Sequence, residues 1–111
     1  MLKYRFSIES LETLFTGQPK LRQLPANLEV KEGESASVHC DVVGRPQPQL
    51  LWYRTYRNIP LSSGMSYQVL VNNTLVLRSM KANMVGEYNC TAVNHLGVVG
   101  HTFSVSMLCK Y

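Results

Sequence analysis

Charge is scarce in this 111-residue chain. Only 16% of its residues are Asp, Glu, Lys or Arg, against about 25% in an average soluble domain. The residues of catalysis and metal binding are scarcer still: one aspartate, Asp41, three histidines (His39, His95, His101) and three cysteines. His39 and Asp41 lie two apart on the outward face of one expected strand, so no Ser-His-Asp or Cys-His set is suggested. His39 and His101 as a zinc pair would lack further ligands. The sequence therefore predicts no enzyme, no catalytic residue, no metal and no cofactor. Long apolar runs are also missing. The longest is Leu50-Leu51-Trp52-Tyr53, whereas a membrane-crossing helix needs about 20 residues, so no membrane span is expected in this chain. The first residues are basic, but Glu9 and Glu12 interrupt the stretch after them, and no apolar segment of a signal peptide is read there. Basic runs are absent as well. The 11 Lys and Arg against 7 Asp and Glu give a net charge of +4, scattered from Lys3 to Lys110. Scattered charge argues against a nucleic-acid binder, which would show a clustered patch, and leaves a weak attraction to acidic partners such as sulfated glycans. Three cysteines are too few for a disulfide scaffold, and an odd number leaves at least one thiol over.

What the chain does have is enough apolar residue, 45%, for the core of one domain. The pattern changes near Pro25. Before it, Ile8, Leu11, Leu14 and Phe15 recur at helical spacing, and Gly17-Gln18-Pro19 reads as a stop. Residues 1–24 are thus expected to be an N-terminal extension, linker or leader. After Pro25 the period is two. Ala36, Val38 and Cys40 alternate with Ser35, Ser37 and His39; Leu50 and Trp52 alternate with polar neighbours; Tyr88, Cys90 and Ala92 alternate with Asn89, Thr91 and Val93; Phe103, Val105 and Met107 obey the same rule. Turn residues separate these runs at Gly44-Arg45-Pro46, Asn58-Ile59-Pro60, Asn72-Asn73 and Asn94-His95-Leu96-Gly97. Seven or eight short strands with regular turn signals predict an all-β, antiparallel sandwich.

The alternation places Cys40, Trp52 and Cys90 inward, with Trp52 twelve residues after Cys40 and Tyr88 two before Cys90. With Gly33, Gly44, Pro46, Pro48, Leu75, Leu77, Gly86, Ala92, Asn94 and Gly97 at matching spacing, residues 25–108 resemble an immunoglobulin domain of the intermediate (I-set) type, and residues 109–111 form a tail. The resemblance implies a two-sheet sandwich with a disulfide between Cys40 and Cys90, a core containing Trp52, Leu75, Leu77 and Tyr88, and a Tyr88 hydroxyl anchoring a corner. Met84 departs from the family, which has Asp there. That Asp pairs with a basic residue near Ser66-Tyr67, and no Lys or Arg is present there either. The ion pair is expected to be missing as a whole, leaving a looser corner.

Tyr53, Arg54, Tyr56 and Arg57 are candidate partner contacts, because Tyr and Arg are enriched in interface hot spots. Tyr53 is expected to point outward with Asn89 and Thr91. The competing explanation is ordinary: Tyr covers a sheet, and an Arg stem packs while its head stays wet. The turn residues Asn94 and His95 are the other contact candidates. Asn72-Asn73-Thr74 and Asn89-Cys90-Thr91 fit the N-glycosylation sequon. Asn72, on a turn, is the better acceptor, and a glycan on Asn89 would obstruct its sheet face. Cys109 is the unpaired thiol. The expected function is a non-catalytic binding or adhesion module, one extracellular immunoglobulin domain of a larger cell-surface receptor or adhesion protein. It would recognise a protein, either another domain of this type or a receptor ligand. The alternative is an intracellular sarcomeric or cytoskeletal spacer or docking unit with reduced cysteines.

Overall fold

The computed structural model describes residues 17–109. Nine strands run in chain order: β1 (Gly17–Gln23), β2 (Leu28–Lys31), β3 (Ala36–His39), β4 (Asp41–Arg45), β5 (Gln49–Arg54), β6 (Tyr67–Val69), β7 (Thr74–Leu77), β8 (Gly86–Asn94) and β9 (Gly97–Leu108). A single 3-10 turn at Ala82–Met84 precedes β8. One layer has the order β2-β9-β8-β5. The other contains β3-β7-β6 and the pair β1-β4, with β4 continuing β3 past Cys40. This is the two-sheet immunoglobulin-like sandwich expected from the alternation. All pairings are antiparallel except β2 with β9. That exception arises because the chain changes layers between β1 and β2. The crossing is pinned on both sides: His101 Nε2 lies 2.9 Å from the Pro25 carbonyl, and the Ser104 N–H donates to Asn27 Oδ1 at 2.9 Å.

The start of the sandwich differs from the sequence expectation. Gly17–Gln23, placed with the extension, is a strand paired with β4 from Gly17↔Arg45 to Gln23↔Asp41. Pro19 is buried and Leu21 packs on the core, so period two operates here as well. Pro19 is tolerated because β1 is an edge strand, where a missing amide donor costs no ladder bond. Arg22 ties the strand end to Asp41 at 2.8 Å. The helical spacing read over residues 8–15 lies outside the described residues.

The core lies between the layers. Trp52, Tyr88, Phe103, Leu75, Leu77, Met80, Met84 and Val105 are fully buried, with Cys40 and Cys90 beside them. Trp52 meets Phe103 edge-on at 6.0 Å, and Phe103 stacks on Tyr88 at 5.7 Å. Each such side chain contributes about 1.5–3 kcal/mol by leaving water. The packing holds β5, β8 and β9 in one register, which sets the outer face of that sheet.

Candidate protein-binding surface

On the outer face, Tyr53 stands directly across from Asn89, and Leu51 across from Thr91. An open depression of about 480 Å³ lies here, rimmed by Tyr53, Thr55, Arg57, Asn58, Asn89 and Thr91. Its polar groups are already organised. Asn89 Nδ2 donates to Thr102 Oγ1 at 3.2 Å, and the Thr91 hydroxyl donates to Asn89 Oδ1. Tyr56 and Arg57 are exposed just beyond β5.

Arg54 also lines the depression, but its side chain is turned away from solvent. It is 7% exposed and points into the sandwich, as its spacing of two from Trp52 requires. The guanidinium donates from Nη1 to the Asn83 carbonyl at 3.0 Å and from Nη2 to the Val85 carbonyl at 2.8 Å. These carbonyls flank Met84. The guanidinium carbon also lies 4.4 Å from the Tyr88 ring centroid and 5.0 Å from that of Tyr56. The corner that lacks the family's ion pair is therefore not empty: a cation reaches it from β5 and is bound by neutral oxygens. Gly86 makes room. Its φ is +133°, and a Cβ there would stand 2.9 Å from Arg54 Nη2. Arg54 Nε and Trp52 Nε1 are the buried side-chain nitrogens left without a partner among the described residues.

The same corner is sealed by two tyrosines. The Tyr88 hydroxyl donates to the Met84 carbonyl at 2.5 Å. Its one proton being used, it accepts from the Tyr67 hydroxyl at 3.0 Å, and Tyr67 in turn accepts from Arg54 Nη1 at 3.3 Å. Burial, followed by the hydrogen bond to Tyr67, pushes Tyr88 ionisation well above the ordinary phenol value. The folded phenol thus stays neutral where the unfolded one ionises. The associated stability is intact below about pH 10 and is lost as the pH rises past it. Tyr88→Phe is expected to cost about 1–2 kcal/mol at neutral pH and to flatten that alkaline loss. Urea unfolding at several pH values between neutral and alkaline checks both.

Cys40 and Cys90 face each other in the core. The resemblance implies a covalent bond, but here they are free thiols with Sγ atoms 2.8 Å apart, beyond the S–S bond length of about 2.05 Å. The hydrogen bond to Cys40 and burial hold the Cys90 thiol far above its usual value. The two sulfurs are neighbours in the core. Cys109 is exposed and free.

At the end of the sandwich, Asn94 is a clamp rather than an open contact. Its amide donates to the Gly17 carbonyl at 2.9 Å and the Pro46 carbonyl at 3.1 Å, while its Oδ1 accepts the Leu96 N–H at 2.9 Å. One side chain thereby holds the start of β1, the loop after β4 and the β8–β9 turn. His95, Leu96 and Val98 are left exposed around it. Asn94→Ala should cost about 1–2 kcal/mol and speed amide exchange at Leu96 more than in the β8 core, as hydrogen-exchange NMR would read. Asn72 is exposed on the β6–β7 turn. Its sequon partner Thr74 is engaged with His39, Oγ1 to Nδ1 at 3.0 Å. Among the described residues, no group of three His, Cys, Asp or Glu is placed to hold a metal ion.

The sequence matches the family model for the immunoglobulin I-set domain over residues 19–107. A peroxidasin homolog of Caenorhabditis briggsae is 34% identical over 93 residues, covering 83% of this chain and 7% of its own length. Vascular endothelial growth factor receptor 3 of Danio rerio is 34% identical over 90 residues, covering 81% of this chain and 7% of its own. The chain thus spans a small fraction of the length of the curated relatives it matches. Among solved structures, the titin M3 domain superposes with a TM-score of 0.73 at 28% identity, covering 83% of this chain and 98% of that one. Drosophila OTK, extracellular domains 3-5, superposes with a TM-score of 0.74 at 25% identity, covering 82% of this chain and 32% of that one.

Proposed function

Because the chain belongs to the I-set family of immunoglobulin domains, we propose that it is a non-catalytic recognition module of a longer extracellular or cell-surface protein. The observation that carries the location is Asn72, an exposed sequon asparagine on a tight turn. The likeness to a receptor and to OTK extracellular domains supports it. The recognition surface is the end of the sandwich held by Asn94. Loops already fixed in place lose less entropy on binding a protein, and exposed Leu96 and Val98 with His95 supply apolar contact beside a polar tip.

Expression through a eukaryotic secretory pathway, with the intact mass taken before and after glycosidase, tests the location. The expected result is a mass loss mapping to Asn72. Secreted protein with no glycan at all contradicts it. A second reading, an intracellular filament spacer or docking unit, draws on the 28% identity to the titin M3 domain. It requires a fold equally stable with its cysteines reduced and no glycan.

A further inference from the structure

Gly100 sits within β9 on the outer face, directly across from Thr91. Its φ is not in the left-handed region, which among the described glycines holds only Gly33 and Gly86, so the backbone does not require a glycine there. A glycine inside a strand weakens it and marks a close approach. A Cβ on Gly100 would stand 3.2 Å from Asn89 Oδ1 and 3.4 Å from Thr91 Oγ1. The missing side chain opens a notch in which the Asn89–Thr91 pair lies, and these two are the ends of a sequon. One amide hydrogen of Asn89 goes to Thr102 and its oxygen accepts from Thr91. The second amide hydrogen of Asn89 has no hydrogen-bond partner among the described residues. Beside it lies the open depression of about 480 Å³, within the about 300–1,000 Å³ of small-ligand sites. Its lining combines Tyr53 with Arg54, Thr55, Arg57 and Asn58. An aromatic face flanked by hydroxyl, amide and guanidinium groups suits a sugar ring, whose C–H face stacks while its hydroxyls hydrogen-bond.

We propose that Asn89 is an N-glycosylation site and that the inner sugars of its glycan lie in the depression against Tyr53, closing this sheet face to protein partners. The reaction joins Asn89 Nδ2 to C1 of an oligosaccharide carried on a lipid pyrophosphate. The N–C1 bond forms, the C1–O bond to the pyrophosphate breaks, the lipid pyrophosphate departs with the electron pair, and the amide gives up one proton. Asn89 lies mid-strand with its amide engaged, so transfer precedes folding of β8. The proposal rests on the extracellular reading, with Asn72 as the internal control.

The test uses the full chain secreted from eukaryotic cells. Enzymatic deglycosylation in ¹⁸O-water marks each occupied asparagine as a labelled aspartate in the peptide map. Label is expected at Asn89 in the wild type and in Asn72→Gln, and is lost in Asn89→Gln and in Thr91→Ala, which keeps the asparagine and so separates occupancy from folding. On the folded protein, deglycosylation at Asn89 is expected to run at least tenfold slower than at Asn72, with Tyr53→Ser narrowing the gap and denaturation abolishing it. Label at Asn72 but not Asn89 overturns the site and leaves the extracellular reading standing. No label at either overturns both. Equal native rates at the two sites overturn the seat in the depression.

Discussion

Replacing Arg54 by alanine is expected to lower the unfolding free energy by about 3 kcal/mol, a large share of the stability of a domain this size. The side chain is buried with both terminal nitrogens spent on backbone carbonyls of the 3-10 corner and with its plane against Tyr88. Truncation removes two charge-assisted bonds, releases Asn83 and Val85, and leaves a void beside an aromatic ring. Arg54→Lys is expected to fall between wild type and alanine, because a single ammonium cannot span two carbonyls as the planar fork does. Guanidinium-chloride midpoints for the three proteins measure the order. An alanine variant within about 0.5 kcal/mol of wild type would mean that the corner holds itself without the cation.

Oxidation of Cys40 and Cys90 is the second large effect. The two thiols already touch inside the core and lie 50 residues apart in the chain. A cross-link there constrains the unfolded chain, which the loop-entropy model values at about 4 kcal/mol. In a Cys109→Ser background, which removes bonding between molecules, the oxidised form should unfold at a higher denaturant midpoint than the reduced form, with an unfolding free energy larger by that amount. In the Cys40→Ala, Cys90→Ala double variant the sensitivity to reductant should vanish. Equal midpoints for oxidised and reduced protein would mean that contact packing alone supplies the stability of this region.

The fold was legible because period two reports which side chains face inward. Trp52, Leu75, Leu77, Tyr88 and Phe103 obey it, and all are buried. Arg54 obeys the same rule. Reading it as a contact residue gave more weight to residue type than to position, and the spacing from Trp52 was the signal that could have placed it. Strand β1 was hidden for a different reason: Gly17 and Pro19 are helix stops and also edge-strand residues, and only pairing with β4 separates the two. The Asn94 clamp had no local signal, since its carbonyl partners lie 77 and 48 residues away in the chain. The notch at Gly100 is equally non-local, because it exists only once β8 and β9 are in register.

The extracellular assignment is tested most directly by the thiols of the secreted chain, alkylated under denaturing conditions without reductant and mapped by mass spectrometry. The expected result is Cys40 and Cys90 unmodified and joined in one cross-linked peptide, with Cys109 outside that pair. Cys40 and Cys90 both alkylated, in protein recovered from the secretion medium, would contradict it.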